Sequence, residues 1–369
     1  MNMVKSGFYA VALAAVTQSA IAAPFAHEAR SLGMGNIGVA TADIATAPFA
    51  NPAMLAFQPF DDDFSLLLAV GGYFSDPDGM VDDIDQFQSA STDAEKLALA
   101  QKMDGKIIAP EISGAVSIGF SGETYAMAVS ARSDVTLVGG LSNISTDVST
   151  IDDTSFNRLT VLGVKTNEIG FSVAGNFDIM ESKISVGITP RVINVEAVQY
   201  DESIVTADTG IGDFTDNVVD LGDFTTLDVG VVMELMDNVQ FGATAKNLIT
   251  DDVSLGNQTL SFDTELKVGV AYRGDMLTVG ADLDLTENQI TFVGVKRKNL
   301  SVGIEYDLFD YLQLRAGMMK NLASDIPYQA KESITTVGLG LWLGFNLDVA
   351  VTSGGGDSIG AFAQAGFKF

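Results

Sequence analysis

The sequence predicts an all-β chain, a transmembrane antiparallel β-barrel of about fourteen strands. Three observations carry that prediction. Apolar and polar residues alternate in stretches of about ten, connections between the stretches alternate long and short, and the last stretch ends on phenylalanine.

The alternation is clearest in the second half of the chain. Leu277, Val279, Ala281, Leu283 and Leu285 alternate with Thr278, Gly280, Asp282 and Asp284. Leu300, Val302, Ile304 and Tyr306 alternate with Ser301, Gly303, Glu305 and Asp307, and Leu312, Leu314, Ala316 and Met318 with Gln313, Arg315 and Gly317. Successive side chains of a strand point to opposite faces, so each stretch has one apolar and one polar face. A soluble sandwich shows the same period, and connection lengths favour the barrel.

Strands are expected over 63–74, 109–120, 124–134, 159–176, 182–197, 224–235, 239–248, 261–272, 276–286, 298–307, 311–320, 333–343, 346–352 and 358–369. Links such as Ser121-Gly122-Glu123, Met236-Asp237-Asn238 and Arg273-Gly274-Asp275 are tight turns, whereas 75–108, 135–158 and 198–223 are long. Outer-membrane barrels place short turns in the periplasm and long loops outside. The first long loop carries a helix signal in STDAEKLALAQKM, with Ser91 or Thr92 as N-cap and Glu95 completing a capping box.

Both ends of the chain fit export to that membrane. Residues 1–22 combine Lys5, an apolar run from Gly7 to Val16 and an Ala20-Ile21-Ala22 cleavage site, the layout of a secretory signal peptide. The run is too short to span a bilayer as a helix. At the C-terminus, Ile359, Ala361, Ala363, Ala365, Phe367 and Phe369 share one strand face. Phe367 and Phe369 are the candidate assembly signal, and the barrel-assembly machinery is the partner that reads such a strand.

Composition excludes several classes. The chain of 369 residues holds 48 acids against 20 bases, a net charge of −28, yet is 47% hydrophobic. A disordered acidic chain lacks such hydrophobicity, and a nucleic-acid binder needs a basic patch. There is no Cys and a single His, His27, so thiol chemistry, Cys-based metal sites and His-dependent catalysis have nothing to work with. No enzymatic activity, cofactor or metal is expected.

The charges sort by face. Arg191, Lys246, Lys267, Arg273 and Arg315 take the polar face of their strands, as do Glu265, Asp282, Asp284, Glu305 and Asp307. They are expected to pair inside the lumen, where an unpaired dry charge costs several kcal/mol. The acidic surplus falls elsewhere: residues 192–245 carry eleven acids and no base. Solvation of exposed loops is the preferred reading of those acids over divalent-cation bridges to lipopolysaccharide.

Three motifs have both a functional and a structural reading. Gly33-Met34-Gly35-Asn36-Ile37-Gly38 fits G-x-G-x-x-G but lacks the preceding strand and βαβ unit that a dinucleotide site requires. Arg273-Gly274-Asp275 falls at a tight turn, which is what such residues form. Pro190 interrupts SVGITPRVINV, where it predicts a bulge, a kink or a sheet edge, or more sharply a gap in the wall through which an apolar molecule passes sideways into the membrane.

The N-terminal residues carry a resemblance. Ala29-Arg30-Ser31-Leu32-Gly33-Met34-Gly35-Asn36-Ile37-Gly38-Val39-Ala40, with Ala42-Asp43 and Asn51-Pro52-Ala53-Met54-Leu55, resemble the plug of FadL-like outer-membrane proteins, the long-chain fatty-acid transporter superfamily. Downstream, Val186 to Arg191, Lys246-Asn247-Leu248, Asp282 to Asn288, Gly303 to Asp310 and Leu312 to Gly317 are similar to the exported proteins named conjugal transfer protein TraF. The resemblance implies a helical hatch inside a fourteen-stranded barrel, with Gly33, Gly35, Gly38, Asn51, Pro52 and Ala53 packed in the lumen. It implies a leader over 1–22, a hatch over 23–58 and a barrel over 59–369 in the outer membrane of a Gram-negative cell, facing lipid and lipopolysaccharide. Two functions follow from it: movement of a small hydrophobic ligand, or a structural role in a conjugative transfer or secretion apparatus.

Overall fold

The computed structural model describes residues 28–57, 63–179, 182–206, 218–249, 252–255, 258–289, 296–309, 311–323 and 333–369. The expected leader and His27 lie outside the described residues. Fourteen strands close into one antiparallel barrel in which each strand pairs with its chain neighbours. They are β1 (Phe64–Ser75), β2 (Ile107–Ser121), β3 (Tyr125–Ser142), β4 (Arg158–Ile179), β5 (Ser182–Ser203), β6 (Val218–Met236) and β7 (Val239–Lys246). The remainder are β8 (Glu265–Arg273), β9 (Leu277–Asp284), β10 (Asn299–Leu308), β11 (Leu312–Asn321), β12 (Ser333–Trp342), β13 (Asn346–Ser353) and β14 (Ile359–Lys368). β1 closes the ring on β14, in register from Ser65 opposite Lys368 to Phe74 opposite Ile359. Closure leaves no sheet edge with unpaired backbone groups. Two short two-stranded ladders, 252–255 with 258–261 and 288–289 with 296–297, sit in long connections.

The faces follow the alternation. Leu68, Val70, Ile169, Phe171, Val302, Ile304 and Val349 stand exposed on the outer face. Ser172, Thr189, Thr226, Asp228, Asp282 and Arg315 are buried on the inner one. Among the described residues no helix is long and apolar enough to cross a membrane. Phe369 packs on Phe64 with ring centroids 4.9 Å apart, and Phe367 on Phe345 at 5.8 Å, so both terminal phenylalanines lie on the rim with the short turns.

The wall is uneven in height. β4 and β5 run 22 residues each, about 70 Å along the strand at ~3.3 Å per residue, against 8 to 10 residues in β7 to β14. Sequence places the end of β3 near 134, but the strand continues to Ser142. Across the outer face of this tall wall runs a polar row in register. Ser133 donates to Asn167 (2.7 Å), Asn167 to Asn194 (3.4 Å) and Asn194 to Asp223 (2.8 Å). Below the row Val129, Ile169 and Val192 are exposed. Above it Leu137, Leu141, Leu159, Val161, Val198 and Tyr200 are buried against two helices of the first long connection.

The hatch contains α1 (Ala29–Gly33), α2 (Ala47–Ala50) and a 3₁₀ turn at Pro52–Leu55. The two helices on the tall wall are α3 (Met80–Ser89) and α4 (Asp93–Lys102). α4 starts at the capping box that the sequence predicts: Thr92 accepts from Glu95 N, and Glu95 accepts from Thr92 N. α3 is additional; Met80, Ile84 and Phe87 form its buried stripe at helical spacing. Asp83 joins the two helices through ion pairs of 2.6 Å to Lys102 and to Lys106. Burial works to raise its carboxyl, but the hydrogen bonds from the two lysines and their charges outweigh it and hold Asp83 below the ordinary aspartate range.

Candidate functional site

Residues 28–57 fill the lumen, and almost every one is buried. The segment turns too often for regular structure. Glu28 caps α1 by accepting from Ser31 N at 2.7 Å. The chain then reverses through Gly35 (φ +72°) and Asn36 (φ 63°), a left-handed pair that a β-branched residue would resist. At the second reversal Asn51 accepts from Ala53 N (3.1 Å) and donates to Val39 O (2.8 Å) and to Val231 O of β6 (3.2 Å). Pro52 then opens the 3₁₀ turn, where its missing N–H costs nothing.

The hatch glycines face wall glycines. A Cβ on Gly33 would lie 3.0 Å from the Cα of Gly338, and one on Gly35 2.5 Å from Val302 O. Conversely, a Cβ on Gly303 would sit 2.6 Å from the carbonyl carbon of Met34, one on Gly317 2.6 Å from the Cα of Gly35, and one on Gly187 2.5 Å from Ala53 N. Gly38 packs inside the hatch itself, 2.9 Å from Ala50 Cβ by the same construction. Backbone therefore meets backbone, and the lumen holds no room for a methyl group at these points.

Polar side chains of the wall bind the hatch backbone all round the ring. Ser117 of β2 donates to Ala45 O (2.5 Å), Asn176 of β4 to Ala56 O (2.6 Å) and Ser185 of β5 to Ala53 O (2.7 Å). Asp282 of β9 accepts from Gly38 N (2.7 Å) and Val39 N (2.9 Å), and Thr336 of β12 accepts from Gly35 N (3.0 Å). Without such partners the buried peptide groups of an irregular segment would each cost about 1–3 kcal/mol.

The ten charges picked from sequence all lie on the inner side or its rim, but they do not simply pair with one another. Only Lys267 with Asp284 (3.3 Å) and Arg315 with Glu305 (2.6 Å) form ion pairs within that set. Lys246 donates to Phe49 O, and Arg273 to Thr41 O and Ala42 O, so hatch carbonyls replace the expected acids. Asp307 accepts from Gln313 (2.9 Å), and Glu265 stands opposite Lys246 in the strand register.

Further partners join the network beyond those ten charges. Arg191 pairs with Glu168 and with Asp228 (2.8 Å), and Glu168 also with Arg132 (2.6 Å). Arg315 reaches Asp348 (2.5 Å), Arg30 of the hatch reaches Glu305 (2.8 Å), and Lys368 reaches Asp43. Strand parity gives a usable signal: Glu168 shares the inward face with Gly170 and Ser172, and Asp228 with Gly230. Above Arg191 one patch of the inner face on β4 to β6 is apolar, with Val164, Ile193, Val195 and Phe224 clustered.

Pro190 corrects the expectation of a bulge. The β4–β5 ladder breaks between Gly170 opposite Arg191 and Val173 opposite Ile188, yet both sides keep one register, so no extra residue is inserted. On the other side Pro190 stays opposite Leu227 of β6. The break costs ladder bonds to β4, and Ser172 and Thr189 bridge it from the inner face with a 2.8 Å hydroxyl hydrogen bond. The register shift of β5 comes further on, between Val195 and Glu196.

A closed barrel of fourteen antiparallel strands with a bonded N-terminal hatch defines the class: a plugged antiparallel β-barrel of FadL-like fold. Solved structures show the same fold. The Ralstonia pickettii toluene transporter TbuX matches at 13% identity over 92% of this chain and 97% of its own, with a TM-score of 0.54. A Pseudomonas aeruginosa FadL homologue matches at 13% identity, 94% and 99% coverage and a TM-score of 0.56. A mutant of TodX, a monoaromatic hydrocarbon channel, matches at 15% identity, 93% and 99% coverage and a TM-score of 0.56. No curated protein matches the chain. The profile of the family described as "F plasmid transfer operon, TraF, protein" matches residues 48–284, and the chain belongs to that family.

Proposed function

We propose that the protein moves or binds small hydrophobic compounds across the outer membrane of a Gram-negative cell, without enzymatic chemistry. The observation that carries the reading is the hatch. An irregular, glycine-turned plug held by wall side chains blocks free diffusion of water and ions, and a buried apolar cluster of Val164, Ile193, Val195 and Phe224 lies above Arg191 on the inner face. The fold shared with hydrocarbon channels supports it. On this reading residues 1–22 are removed after Ala22, 23–58 form the hatch and 59–369 the barrel. The outer face meets lipid and lipopolysaccharide, and Phe367 and Phe369 serve the barrel-assembly machinery. Gly33, Gly35, Gly38, Asn51, Pro52 and Ala53 seat the hatch, and the inner charges hold it. Pro190 marks the place of sideways passage.

Reconstitution of the purified protein in liposomes tests this. Uptake of radiolabelled toluene or a long-chain fatty acid, with no uptake of glucose, is the expected result; equal rates in protein-free liposomes would overturn it. Unchanged uptake by the Pro190→Val variant would remove the sideways route alone. A second reading, a structural part of a transfer or secretion apparatus, is favoured by the family match. It predicts loss of transfer in a deletion strain and no uptake in liposomes.

A further inference from the structure

We propose that the outer face of β8 to β11 carries a binding groove for one acyl chain of a membrane phospholipid. The proposal rests on the outer-membrane reading above. The groove is a shallow hollow, open to the outside, of about 620 Å³. Its lining is almost wholly apolar, with the Tyr272 hydroxyl at one end.

Its origin lies in the register. Two outward rows cross the four strands, Val270, Ala281, Val302 and Met318 in one, Tyr272, Val279, Ile304 and Ala316 in the other. Ala281 and Ala316 are the small members, and the larger neighbours rise on either side. Between the rows the inward positions are Gly280, Gly303 and Gly317, directly paired across β9, β10 and β11. With no side chain there, Gly303 and Gly317 rest on the hatch backbone at Met34 and Gly35, and Gly280 on the Ile37 and Thr41 side chains. The hollow outside and the hatch seat inside are thus the two faces of one glycine row.

The occupant follows from place and chemistry. The groove is continuous with the exposed apolar band of the outer face, whose solvent is the hydrocarbon of the bilayer. It also has a polar end: Tyr272 carries its hydroxyl to the short turn, beside Gly274. An amphipathic ring with its tip at the interface suits the junction of chain and headgroup. Short turns face the periplasm in such barrels, which places the phospholipid in the periplasmic leaflet.

Native mass spectrometry of the full-length protein, extracted from membranes in mild detergent, tests the assignment. The expected result is one retained phospholipid per barrel. Ala281→Phe with Ala316→Phe fills the hollow without touching the inner face and should lower the retained fraction about tenfold, the scale of two lost methylene contacts. Val349→Phe, on the outer face of β13, should leave retention unchanged. In a Trp342→Phe background, Val302→Trp should be quenched at a lower fraction of brominated phospholipid than Val349→Trp. Equal retention by the filled and native proteins, equal quenching at the two sites, or retention of toluene in place of phospholipid would overturn the proposal. Heat-modifiable gel migration of the same samples reports on the barrel itself, so its failure is distinguishable from failure of the groove.

Discussion

Gly303→Ala is the sharpest perturbation of the hatch seat. The added methyl would lie 2.6 Å from the carbonyl carbon and 2.9 Å from the Cα of Met34, inside the 3.0 Å that real Cβ atoms respect. Both neighbours are backbone, so relief requires moving the hatch or the strand rather than a rotamer. Overpacking of this kind costs about 1–3 kcal/mol, and the upper end is expected here. Gly114→Ala is the control. Its Cβ would meet only Ala69 O at 3.8 Å, and replacing a strand glycine gains about 0.5–1 kcal/mol. Urea unfolding in detergent micelles, followed by the single tryptophan, Trp342, measures both. Gly303→Ala should be less stable than the native protein by about 3 kcal/mol and Gly114→Ala as stable or more so. Identical midpoints for the two variants would refute the argument that backbone-to-backbone contact seats the hatch.

Other outcomes follow from the same contacts. Asn51→Ala removes the partner of three backbone groups and should destabilise the hatch by about 1–3 kcal/mol, read as faster amide exchange across 48–56 with β10 unchanged. Glu168→Ala leaves Arg132 and Arg191 short of a buried acid and should cost about 3–5 kcal/mol; the double variant with Arg191→Met should cost less, and an additive loss would contradict coupling. The lowered Asp83 carboxyl stabilises α3 against α4 fully above the unfolded value of about 3.9, and that contribution is lost as pH falls through the lower folded value. Proteolysis of 80–103 should therefore rise below about pH 4 in the native protein, and Asp83→Asn should show the loose behaviour already at pH 7.

How much of this was legible depends on the element. Strands β7 to β14 have one apolar and one polar face, and their bounds in sequence and structure agree within four residues at each end. The extension of β3 over VTLVGGLS was hidden because both of its faces are buried, one in the lumen and one under α3 and α4, so alternation disappears. In the site, glycine and Asn-Pro-Ala signalled the hatch. The bonds of Lys246 and Arg273 had no signature, because their acceptors are backbone carbonyls that any residue supplies. Pairing by charge type therefore misassigned them. Glu168 and Asp228 were readable from strand parity, whereas Arg30 and Asp43 sit in a segment with no period to assign a face.

Conductance in a planar lipid bilayer measures directly, on the intact protein, whether the hatch closes the barrel, with a variant lacking residues 28–57 as comparator. The intact protein should show no steady ion conductance and the deletion discrete open steps. Steady porin-like conductance of the intact barrel would contradict closure.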